Sequence, residues 1–66
     1  MNKLVVRGFL QWLDTATAEE IEARRAEFLA ALEHFHGEDA RADLRLGLRL
    51  IEEDLVARAD LWRARP

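Results

Sequence analysis

From Asp39 to Arg63 the chain runs 25 residues without a proline, and bulky apolar side chains return at helical spacing: Leu44, Leu48, Ile51, Leu55 and Trp62. At 3.6 residues per turn these five share one face. A helix over residues 39–63 is about 37 Å long. A stripe of that length needs well-packed helices or a partner chain to cover it, which favours a helical class.

A second segment supplies such a helix. Thr17-Ala18-Glu19-Glu20 has the form of a capping box, in which the Thr17 hydroxyl accepts from the Glu20 backbone N–H and the Glu20 carboxylate accepts from the Thr17 N–H. Glu19, Glu20 and Glu22 lie at the positive end of the helix dipole, and Glu20 and Arg24 are spaced as an i,i+4 pair. Ile21, Phe28, Ala31, Leu32 and Phe35 fall on one face, with Ala23, Ala26 and Ala30 behind them. The expected helix covers residues 18–36. Gly37 fits the position after its end, where a positive φ costs glycine nothing, and Asp39 is the expected N-cap of the last helix. So short a connection favours antiparallel neighbours.

Residues 3–14 form the weakest element. Val5, Phe9, Trp12 and Leu13 share a helical face, but Val5, Val6 and Gly8 lower its propensity, Gly8 by about 1 kcal/mol against alanine. The expected architecture is therefore all-α: a single small domain over residues 1–66, built as a long antiparallel hairpin with a short N-terminal helix. One rival reading exists. Leu44-Arg45-Leu46-Gly47-Leu48-Arg49-Leu50 alternates strictly, which is a strand signal, and Leu4–Phe9 is the one segment that could pair with it. The absence of β-branched residues from Leu44 to Leu50 favours helix there.

The last helix carries more apolar surface than one stripe. With Leu44 set at zero and about 100° per residue, Leu46, Ala57, Leu50 and Leu61 cluster near 200–260°, away from the first stripe. Each exposed leucine forgoes about 1.5–3 kcal/mol of burial. Either the first helix wraps over this second stripe, or another chain does. The expected outcome is a homodimer in a helical bundle, with Leu46, Leu50 and Leu61 at the interface and Trp12 and Trp62 as aromatic anchors.

Composition sharpens the same point. Half of the 66 residues are apolar, but 11 of them are alanine, and there is no cysteine to reinforce the fold. A chain of this length buries only about 60% of its unfolded surface and is marginal alone. Net charge is −3, with −2 in residues 1–33 and −1 in residues 34–66, so neither half is a basic arm. Nine of the ten cations are arginine, as a GC-rich genome would produce; a small accessory protein of a bacterial genome or mobile element fits the size. Met1 to Val6 begins like a signal peptide, but Arg7 and Gly8 interrupt it and no small-residue cleavage site follows. A cytoplasmic protein is expected.

Little chemistry is legible. His34 and His36 are two apart, and helical side chains at that spacing diverge by about 200°, so no metal site or cofactor is expected. Glu52, Glu53 and Asp54 point in three directions, and Arg49–Glu53 and Asp54–Arg58 have the spacing of surface ion pairs. No catalytic residue is assigned, and the chain is not expected to be an enzyme. The leading expectation is a protein–protein interaction or regulatory accessory protein. The alternative is a dimeric nucleic-acid-binding regulator using Arg41, Arg45 and Arg49, which form an i, i+4, i+8 ridge. Acidic neighbours at Asp39, Asp43, Glu52 and Glu53 weigh against that alternative.

Overall fold

The computed structural model describes residues 2–64, apart from the side chain of Ala64. Within that span the protein is all-α: α1 covers Lys3–Thr15, α2 Ala18–His34 and α3 Glu38–Ala64, with no strand among the described residues. Both segments with strand-like sequence, Leu4–Phe9 and Leu44–Leu50, are helical.

Each helix start has a local cause. Asn2 caps α1: its backbone is extended and its side chain accepts from the Val5 N–H at 2.9 Å. This cap lies outside the sequence reading, although asparagine ahead of an apolar run is a preferred start. The capping box at the start of α2 forms in both directions, with Glu20 N–H to Thr17 Oγ1 at 3.1 Å and Thr17 N–H to Glu20 Oε1 at 3.0 Å. Those hydrogen bonds, first to the Thr17 backbone and then to its side chain, hold the Glu20 carboxyl below its ordinary pKa.

The α2–α3 turn departs from expectation. Gly37 does not take a positive φ; no described residue does. α2 stops at His34, and Phe35 closes it in an extended conformation, its N–H still bonded to the Ala31 carbonyl at 3.0 Å. Arg41 supplies the reason. Its Nη1 donates to the Leu32 carbonyl at 2.6 Å and the Phe35 carbonyl at 3.1 Å, so the open end of α2 is satisfied by a side chain rather than by a left-handed glycine. Gly37 serves the next helix instead, its carbonyl accepting from the Arg41 N–H at 3.0 Å. Asp39 is accordingly not the N-cap but lies in the first turn of α3, with Glu38. The Glu20–Arg24 pair is replaced as well: Arg24 meets Glu27 at 3.4 Å and lies 5.0 Å above the Trp12 ring.

α2 and α3 meet at several points. Leu32 meets Arg41, Phe28 faces Gly47, Arg25 pairs with Glu52 at 3.8 Å and Ile21 joins Ile51. Gly47 is an obligatory gap, since a Cβ there would run into the Phe28 ring. The core is small. Leu13, Ala16, Ile21 and Ile51 form a buried cluster, against which Phe9, Trp12, Phe28, Leu50 and Leu55 pack. The ring of Phe9 stacks on Phe28 and tilts against Trp12, both at 5.8 Å between centroids.

Candidate interaction surface

The buried side of α3 is rotated from the one that leucine spacing defines. Gly47, Leu48 and Ile51 are buried, and Asp54, Leu55 and Arg58 are half-buried. Glycine, aspartate and arginine are invisible to an apolar pattern, so the sequence located the stripe but missed its edge on the α1 side.

That edge is organised by Arg58. Its Nε donates to Asp54 Oδ2 at 2.7 Å, while Nη2 donates to the Leu13 carbonyl at 2.7 Å and the Ala16 carbonyl at 2.9 Å. The pair read from sequence as a surface ion pair thus anchors the end of α1. Together with Arg41, which caps the end of α2, it makes α3 the element that satisfies the carbonyl ends of both preceding helices. No spacing rule signals such a role, because the carbonyls lie more than 40 residues away in sequence.

The five expected interface residues separate into two groups. Trp12 is half-buried against the core, under Arg24, and Leu50 is half-buried against the same cluster. Leu46, Leu61 and Trp62 are exposed, to 36%, 71% and 74%. Trp62 continues the line of Leu48, Ile51 and Leu55, but residues 59–63 are all exposed. Leu4, Val5 and Val56 are also largely exposed, although Val5 was expected on the apolar face of the first helix.

The three ridge arginines have different partners. Arg41 is tied to the end of α2, Arg45 Nε donates to the Arg41 carbonyl at 3.3 Å, and Arg49 pairs with Glu53 at 3.1 Å. Among the described residues no group of three or more His, Cys, Asp or Glu is placed to hold a metal ion, and no helix is long and apolar enough to cross a membrane. An open groove runs along the outer side of α3, lined by Arg49, Glu52, Glu53, Val56, Ala57 and Asp60.

Comparison of the chain with protein-family models, with curated proteins and with solved structures returns no match.

Proposed function

We propose that this is a non-enzymatic interaction or regulatory accessory protein that docks through the apolar surface of α3. One observation carries the reading: Leu46, Leu61 and Trp62 stand exposed beside a buried apolar core that, among the described residues, consists of Leu13, Ala16, Ile21, Leu48 and Ile51. A chain that gains so little from its own core, yet leaves large apolar side chains in water, has both the surface and the energetic motive for a partner. In this reading α2 and α3 act as a long antiparallel hairpin with α1 laid across it, and the hairpin is the frame of a helical bundle completed by another chain. The cytoplasm is the compartment that suits a cysteine-free chain held together by packing alone.

The test is affinity capture from the native host with the full chain as bait and Leu61→Glu as the control. Leu61 contributes almost nothing to the protein's own core, so the variant keeps its fold. A partner captured by the native chain and lost with the variant supports the reading; identical recovery by both baits removes it.

A further inference from the structure

Resting on that reading, we infer that the occupant of the α3 surface is a second copy of this chain, docked antiparallel about a two-fold axis that passes α3 between Glu53 and Asp54. Two independent observations point there.

The first is area. The chain exposes 5308 Å², whereas the size scaling of compact monomers gives about 4,300 Å² for its mass. The excess, about 1,000 Å², is spread over the whole chain, with Leu4, Val5, Leu29 and Phe35 exposed as well as the α3 residues, and it is enough to supply the roughly 800 Å² that each partner contributes to a standard interface.

The second is the spacing of the stripe. Leu46, Leu50, Ala57 and Leu61 are separated by four, seven and four residues, so the pattern reads the same in both directions. A two-fold contact needs a patch that complements itself. Antiparallel pairing centred between residues 53 and 54 sets Leu46 against the partner's Leu61 and Leu50 against the partner's Ala57. Large side chains then close both ends of a contact about 22 Å long, and a large–small pair stands at each inner position, where Leu50 offers the part of its side chain that its own core leaves uncovered. Near the axis the two Glu53 carboxylates approach, and each already has its own Arg49 at 3.1 Å, which offsets their repulsion.

The register makes a charge-exchange experiment decisive. Purified full-length chain is followed by sedimentation across a concentration series, with Leu46→Glu, with Leu61→Lys and with both together. Each single change buries an unpaired charge and is expected to weaken the dimer at least tenfold. The double variant sets the new carboxylate at position 46 of one copy against the new ammonium at position 61 of the other, at both ends, and is expected to regain most of the loss. Because both leucines are exposed in the single chain, circular dichroism should find all variants equally helical. As a second measurement, the chain has no cysteine, so Glu53→Cys should oxidise to a disulfide-linked dimer, while Ala23→Cys on the exposed back of α2 should not. A native chain that stays monomeric to about millimolar concentration overturns the inference, and so does a double variant no better than the singles. Either failure alongside Leu61-dependent capture of another protein leaves the interaction reading standing; self-pairing and loss of capture fail separately.

Discussion

Arg58 shows how much one side chain can decide. It offers a charged donor to two carbonyls that end α1 and is itself held by Asp54. Hydrogen bonds to charged groups contribute about 1.5–3 kcal/mol each in partly buried settings. Arg58→Gln is therefore expected to destabilise the chain by about 2 kcal/mol, measured by urea denaturation, with Arg49→Gln, which loses only an exposed ion pair, changing it by less than about 0.5 kcal/mol. At the start of α2, Glu20 gives a pH signature. Its carboxyl is held below its ordinary pKa by the Thr17 hydrogen bonds. A carboxylate depressed in the folded state adds stability above its unfolded pKa and loses it as pH falls through the folded one. The thermal midpoints of the native chain and Glu20→Gln should therefore differ at neutral pH and converge in acid; a constant gap down to the lowest pH would refute the capping-box account.

Two glycines inside helices make opposite demands on their elements. Gly8 in α1 has open space where a Cβ would stand, while at Gly47 in α3 a Cβ would strike the Phe28 ring. Alanine gains about 1 kcal/mol over glycine in a helix interior. Gly8→Ala should realise that gain. Gly47→Ala should lose about 1–3 kcal/mol net, because Phe28 is already stacked on Phe9 and must move to make room. Denaturant midpoints of opposite sign for the two variants are the expected result, and equal stabilisation by both would show that α2 and α3 do not approach at residue 47. The capping box and most of the apolar faces of α2 and α3 were legible in sequence, apart from Phe35, which lies beyond the end of α2 and is exposed. The ending of α2 was not, because Arg41 supplies from the next helix what Gly37 was expected to supply locally.

At the scale of the whole molecule, length is the governing mismatch. α3 has 27 residues and α2 has 17, so α2 cannot cover all of α3, and Leu61 and Trp62 are exposed. The molecule measures 46 × 24 × 15 Å, a slab rather than a sphere. If a second copy covers the slab, folding and association are linked, and the thermal midpoint should rise as protein concentration increases. Leu61→Glu should remove that dependence. A midpoint independent of concentration over a hundredfold range would mean that the single chain is the stable unit.

The sequence by itself determined the helical class and the places where chain direction changes, because helical periodicity, caps and breakers act within a few residues. It also disclosed the second stripe on α3, since leucine at a fixed spacing marks a face regardless of what lies opposite. Only the tertiary structure decided which part of each face is used. Gly47 became a packing position because Phe28 fills it, Leu50 was drawn halfway into the core while Leu61 was left out, and two arginines turned from surface charges into ties for other helices. Those outcomes depend on distances between groups far apart in the chain, and no local pattern carries them.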